Sequence, residues 1–407
     1  MHTKLKVLIL AGGYDQIALI QEFNNRGYHT ILIDYYPNPP AKNYADFHYQ
    51  ASTLDIDAVK RIAIEEDVDL ITTACTDQAL LTVSKVSEEI KLPCYISHDK
   101  ALKVTNKMYM KKIMKDTGIP TANHIEVSNA SEVNFSNFKF PLVIKPADCN
   151  SSKGVIKVHS QEEALKVIEY ALSISRSHTA IIEDFIEGIE VSVDAFISRG
   201  KADILLITES EKIKNTNGFT IIKSKYPVRI SSAITNQIES IVQSICNSFN
   251  LIEGPLLVQM LIYKDKIYVI EFSARMGGGS KYKLIEVLTG FNIMKAYVDL
   301  VTGTEPTIEH AMKYNFAHLN YCYVSEGVFN KIVGIDELMN RDIISEFFKY
   351  KMEGTFIEKA ETSSDRVAGY LITANTMEEL ISKEKIANSN LKILSDDDVD
   401  IMRHDLI

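Results

Sequence analysis

The sequence predicts a protein of mixed α/β and α+β class, with an N-terminal parallel-sheet domain, an α+β body and a mixed C-terminal segment. Three observations carry this reading. The first hundred residues alternate apolar strand runs with helical stretches, as a parallel sheet covered by helices does. From Pro141 the strands lengthen and follow one another with few helices between them, as antiparallel hairpins do. At 407 residues the chain exceeds one typical core, so two or three domains are expected, divided here as 1–100, 101–306 and 307–407.

In the first part, VLILA (Val7–Ala11) is a buried-type strand and a helix follows over Gln16–Arg26. HTILID (His29–Asp34) is the next strand. A helix over Asp57–Glu66, a strand Leu70–Ala74 and a helix near Gln78–Glu89 continue the alternation. Ligands of such sheets sit at the carboxyl ends of the strands. Those ends carry Gly12–Asp15, Asp34–Tyr36 and Cys75–Asp77. Lys100–Ile119 reads as helical, ended by Gly118 and Pro120. Strands follow at Pro141–Ala147, Val155–Ser160, Ala180–Ile186 and Val191–Ile197, with helices near Gln161–Ser173 and Ile234–Phe249. Leu257–Gly279 reads as two strands joined by the tight turn Lys264-Asp265. Further strands are expected around Asn315–Tyr323 and Val367–Thr373.

Composition narrows the function. The chain is 46% hydrophobic and 24% charged, ordinary for a soluble globular protein. A net charge of -10 argues against a general nucleic-acid binder. The five cysteines lack CxxC or CxxH spacing, which fits reduced thiols in a cytoplasm better than a disulfide frame or a zinc site. Val7–Ala11 is too short to span a membrane or to form a signal core. No nucleic-acid or membrane partner is expected.

The chemistry collects in four places. In Leu257–Gly279, Gln259 stands on one strand, and Glu271, Ser273 and Arg275 follow on the next. Alternate side chains share a face, so these groups converge if the strands pair. Oxygen donors beside a guanidinium suit a Mg²⁺–phosphate site, although a hairpin with a solvated polar face explains them too. Lys145 ends a strand, and Cys149–Val155 (CNSSKGV) is a small, polar loop able to close over phosphates, or else a surface turn. Glu183–Glu190 places an acid, an apolar residue and further acids at a strand edge, which fits an adenosine or a solvated turn. Finally, AGGYDQ with Asp34 is a partial dinucleotide-binding signature, lacking the third glycine at Ile17. An NAD(P)-dependent oxidoreductase is therefore one reading.

The order Lys107, Lys145, Ser151–Gly154, Glu183–Glu190, Gln259, Glu271 and Arg275 resembles that of the ATP-grasp carboxylate–amine ligases, above all the carbamoyl phosphate synthase-like and L-amino acid ligase members. The likeness covers the whole chain and implies a pre-ATP-grasp domain, an ATP-grasp body of two α+β subdomains and a lid-side C-terminal domain. By resemblance, Lys107 and Lys145 contact the ATP phosphates, and Ser151, Ser152, Lys153 and Gly154 form the phosphate loop. Glu183 and the backbone of Asp184, Phe185 and Ile186 hold adenine, and Glu190 holds the ribose. Gln259, Glu271 and Ser273 bind Mg²⁺ or Mn²⁺. Arg275, with Lys145, stabilises the transferred phosphoryl group. Ser273 departs from the family's usual Asn and Gln259 is neutral where many members have an acid, so weak turnover or nucleotide binding alone is the alternative. The implied substrates are a small carboxylic acid and an amine, and a homodimer is the default assembly. Lys281 and Lys283, just beyond the glycines, could take a substrate carboxylate, but surface lysines are the preferred reading.

Overall fold

The computed structural model describes residues 4–149, 152–214, 217–358 and 362–406. The N-terminal part is a four-stranded parallel sheet in the order Phe47–Gln50, His29–Asp34, Lys6–Leu10, Leu70–Thr72. Period-two alternation divides its central strand between two cores, Val7 and Ile9 joining one and Leu8 and Leu10 the other. The helices Asp15–Asn25, Ile56–Glu65 and Asp77–Ile90 fall within a residue or two of expectation. The edge strand Phe47–Gln50 was not expected. It is half exposed and carries no apolar run to announce it.

The helical stretch after Lys100 is two helices, His98–Thr105 and Lys107–Thr117. Asn106 between them is extended, and its side chain caps the second helix by accepting the Met108 N–H at 2.9 Å. This break places Lys107 at a helix start, where it turns toward the body.

The body has a small antiparallel sheet in the order His124–Val127, Ala180–Asp184, Leu142–Pro146, Ile156–Val158. Beside it an eight-stranded antiparallel sheet runs in the order Lys266–Ser273, Gly254–Tyr263, Ile189–Ser198, Lys201–Lys212, Ile221–Tyr226, Phe316–Cys322, Ala368–Ala374, Glu346–Lys349. Strand Lys201–Lys212 was not expected, since its end TESEK interrupts the apolar pattern; only its middle is packed in the core. Ile221–Tyr226 pairs with Phe316–Cys322, so the large sheet continues from the body into the segment after residue 306. In the turn Lys264-Asp265 both residues have positive φ, 47° and 61°, as a two-residue hairpin of the expected kind requires. Among the described residues no helix is long and apolar enough to cross a membrane.

Candidate active site

A cleft of about 670 Å³ lies where the N-terminal sheet, the body and the C-terminal strands meet. One end is built around the small sheet. Glu183, on Ala180–Asp184, lies between two buried ammoniums, Lys111 Nζ at 2.7 Å and Lys145 Nζ at 2.8 Å. Lys145 is there because its strand pairs directly with that of Glu183. Lys111 comes from one turn beyond Lys107 on the same helix face. Burial alone would raise the Glu183 carboxyl, but the two lysines outweigh it and hold it down at about 2. Burial pulls the Lys111 ammonium down to about 8; Glu183 opposes this, while the like charge of Lys145 lowers it further. The trio carries one net positive charge, which favours a phosphate nearby.

The strand end beyond Glu183 has little free backbone. Asp184 N–H donates to Asn123 O at 3.0 Å and Phe185 N–H to Pro141 O at 3.4 Å. Of the three amides expected to hold adenine, only that of Ile186 has no partner among the described residues. Lys157 Nζ lies 3.8 Å from the Phe185 ring centroid. Glu190 pairs with Lys212, and Gln259 Nε2 donates to its other oxygen at 3.4 Å. Ser151 lies outside the described residues. Ser152 lines the cleft, whereas Lys153 and Gly154 do not. Gly154 has φ +73°, and a Cβ there would meet Ile174 Cδ1 at 2.5 Å, so glycine is required at that corner.

The hairpin brings its polar residues together, but through a register shift between Gln259 and Met260 that plain alternation from the turn does not imply. Gln259 stands directly opposite Glu271, and Leu257 opposite Ser273. Glu271 is a third exposed in the cleft and pairs with Lys107 Nζ at 3.2 Å, while Lys107 also donates to Cys149 O at 2.7 Å. One carboxylate and one amide oxygen suit Mg²⁺, which takes one or two carboxylates and completes its shell from water and substrate phosphates. Among the described residues no group of three His, Cys, Asp or Glu side chains gathers as a dedicated metal cage. Ser273 is not part of the cleft wall; it lies beside Asp77 and helps to lower that carboxyl.

Asp77 opens the helix after the fourth parallel strand and reaches Arg275. The guanidinium donates to both carboxylate oxygens, Nε at 2.9 Å and Nη2 at 2.6 Å. The other cleft end holds Asp15, whose carboxylate accepts the Gly279 and Ser280 N–H groups, each at 2.9 Å. Burial raises the Asp15 carboxyl despite these bonds. Thus Gly13–Asp15 and Cys75–Asp77 face one cleft with the glycines after Arg275, whereas Gly12 packs against Pro39 and Asp34. The reading of Lys281 as a surface lysine is corrected. It is 5% exposed, bonded to Thr208 and 3.7 Å from Asp194, because it opens a helix that packs against the large sheet. Lys283 is part-exposed and pairs with Glu286.

Three cleft features escaped the sequence reading. Lys111 was recoverable from its i+4 spacing to Lys107. Lys212 and Arg366 had no such signal, since one lies on an unexpected strand and the other arrives from the C-terminal segment. The dinucleotide reading also loses its main residue. Asp34 accepts the Gly12 N–H at 2.6 Å and the Tyr36 N–H at 2.8 Å, so both its oxygens are engaged by its own loop.

A parallel-sheet domain, a small and a large antiparallel sheet, and a cleft between them define an ATP-grasp architecture. The chain contains an ATP-grasp domain. Residues 105–279 match the family model of the phosphoribosylglycinamide synthetase ATP-grasp (A) domain. The chain is similar to the phosphoribosylamine–glycine ligase of Helicobacter pylori, 28% identical over 64% of this chain and 63% of that protein. It is also similar to the carbamoyl phosphate synthase large chain of Pseudothermotoga lettingae, 24% identical over 91% of this chain and 37% of that one. The chain therefore spans less than two thirds of the length of these relatives. Among solved structures, an L-amino acid ligase from Bacillus licheniformis superposes with a TM-score of 0.80 at 20% identity, covering 97% of this chain and 100% of that one. A phosphoribosylglycinamide synthetase from Anaerococcus prevotii superposes with a TM-score of 0.74 at 21% identity, with the same coverage.

Proposed function

We propose that the protein is an ATP-dependent ligase that activates a small carboxylic acid as an acyl phosphate and joins it to an amine. The observation that carries this is the single cleft holding the lysine-flanked Glu183, the Gln259–Glu271 pair and Arg275. In the first step a carboxylate oxygen bonds to the terminal phosphorus of ATP, the bridging P–O bond breaks, and ADP leaves. The amine nitrogen then bonds to the acyl carbon, its proton is released to solvent, and the C–O bond to phosphate breaks.

Positioning and charge neutralisation are the protein's share of such chemistry. Lys145 and Lys107 draw in the phosphates, with the Ser152 loop beside them. The Ile186 amide meets the adenine edge, while Glu183 fixes the lysines and Glu190 takes the ribose side. Gln259 and Glu271 hold Mg²⁺ or Mn²⁺, which when bound neutralises phosphate charge, and Ser273 adjoins them. Arg275 faces the transferred group. The free cysteines, with no membrane-spanning helix among the described residues, support a cytoplasmic site of action.

ADP release by the purified protein, screened over amino acids and small carboxylic acids with and without amine acceptors, tests the reading. ADP formation that requires both an acid and an amine supports it. Binding of MgATP without turnover on any pair would leave a nucleotide-binding protein, and a melting shift with NADH but not MgATP would restore the oxidoreductase.

A further inference from the structure

We infer that Lys281 is the proton acceptor of the ligation step, taking the proton that the attacking amine sheds. The inference rests on the ligase reading and assigns a residue to its second half. As the amine nitrogen bonds to the acyl carbon, one N–H bond breaks and the proton moves to the lone pair of neutral Lys281 Nζ. The electrons of the C–O bond leave with phosphate, and Lys281 passes the proton to cleft water.

Lys281 lines the cleft yet is deeply sequestered. It opens the helix Lys281–Thr289, the end at which the helix dipole disfavours a cation. Its Nζ bonds the hydroxyl of the buried Thr208 and lies 3.7 Å from Asp194 Oδ2, an ion-pair distance longer than a hydrogen bond. That oxygen is buried and has no hydrogen-bond partner among the described residues, so the ammonium is only partly compensated. Lysine and carboxylate both pack on Gly277, where a Cβ would come within 2.8 Å of Asp194 Oδ1 and 3.1 Å of Lys281 Cγ. Burial lowers the Lys281 ammonium; Asp194, on strand Ile189–Ser198, opposes this, and Arg366, from the C-terminal segment, adds to it. Burial likewise raises the Asp194 carboxyl against the charges of Lys281 and Arg275. Both shifts favour the neutral forms, and a neutral amine is what a base requires. Thr208 can donate to a neutral Nζ as well as accept from an ammonium, so the contact survives either state.

The other groups at this end of the cleft are unsuited to the task. Among the described residues no histidine lines it. The Asp15 carboxylate is engaged by the Gly279 and Ser280 N–H groups, and that of Asp77 by Arg275. Arg275 and Arg366 are cations that keep their protons. Burial raises the Tyr14, Tyr321 and Tyr350 hydroxyls, which leaves them donors. The Cys75 thiol is raised in the same way and donates to Gly277 O at 3.4 Å. Lys351, on the same wall, is part-exposed, whereas Lys281 is held out of water. Of the cations beside Gly277–Gly279, Lys281 is therefore the one that can both lose a proton and take it back.

The acid–amine pair that releases most ADP in the screen is followed as kcat against pH with the full chain. The wild type should show an acid limb, since neutral Lys281 is the active form. Lys281→Arg keeps the charge and cannot accept a proton, so it should lower kcat with that amine by about 100-fold or more while the KM for ATP stays the same. Hydroxylamine, a nucleophile already neutral near pH 7, should recover most of that loss, read as hydroxamate. Asp194→Asn removes the charge that holds the Lys281 ammonium up, so the acid limb should move to lower pH; this variant serves if Lys281→Arg fails to fold. The inference is overturned if the wild type has no acid limb, if Lys281→Arg keeps the wild-type kcat, if hydroxylamine recovers nothing, or if the limb stays in place in Asp194→Asn. Wild-type protein that releases ADP on no pair would sink the ligase reading and this assignment with it. ADP release that the variants leave unchanged would sink this assignment alone.

Discussion

Asp77 and Arg275, 198 residues apart, form a two-bond ion pair that ties the helix after the N-terminal sheet to the segment following strand Lys266–Ser273. Burial alone would raise the Asp77 carboxyl; the charge and hydrogen bonds of Arg275 outweigh it and lower it instead. The arginine proposed to meet the transferred phosphoryl group is therefore aimed by a residue of another domain.

Asp77→Asn should disturb that aim. Breaking one side of a buried pair costs about 3–5 kcal/mol, so the variant should melt several degrees lower. In steady-state kinetics kcat should fall while the KM for ATP stays nearly constant, and Asp77→Glu should recover part of kcat. An unchanged kcat in Asp77→Asn would show that Arg275 needs no such support.

Acid should release the lysine trio. The Glu183 carboxyl is lowered from 4.5 to about 2 in the folded protein. A depressed carboxyl contributes stability that is complete above the unfolded value and lost as pH falls through the folded one. The window is thus pH 4.5 down to 2, and the contribution is on the order of 3 kcal/mol. Lys111 stays protonated throughout that window and does not alter the slope. Denaturant melts at stepped pH should show the loss in wild type and a flatter profile in Glu183→Gln.

Glu271 is the only acid of the proposed metal pair, so Glu271→Gln should abolish turnover and most of the Mg²⁺-dependent part of nucleotide binding. Wild-type protein with MgATP at ~100 Kd should gain roughly 2.7 kcal/mol of stability. Thermal melts with ATP, with and without Mg²⁺, separate the two contributions. A variant that retains the full Mg²⁺ increment would remove Glu271 from the site.

Ser273 is 8% exposed and lies beside Asp77. A longer amide there must displace the Asp77–Arg275 pair, and overpacking of this kind typically costs about 1–3 kcal/mol. Ser273→Asn should therefore lower the melting temperature and leave the half-saturating Mg²⁺ concentration for ADP release unchanged or higher. A clear fall in that concentration would show that the serine had replaced a true metal ligand.

The sequence by itself determined the elements and the hairpin. The apolar run at Val7–Leu10 and the turn Lys264-Asp265 are local signals, whereas the register shift next to Gln259 that sets it opposite Glu271 is not. Lys145 at the end of its strand was legible too, whereas Lys107 fell inside a stretch read as one helix, and the nucleotide roles of Lys107, Lys145 and Glu183 rested on the resemblance in their order. Only the tertiary structure decided what those residues touch. Lys111 and Lys145 share Glu183, Asp77 grips Arg275, and Arg366 arrives over Gly279 from a strand added to the far side of the large sheet. Charges separated by tens to hundreds of residues leave no periodic trace in a chain. Their pairing is set by how sheets and helices pack, and that packing is cooperative over the whole molecule.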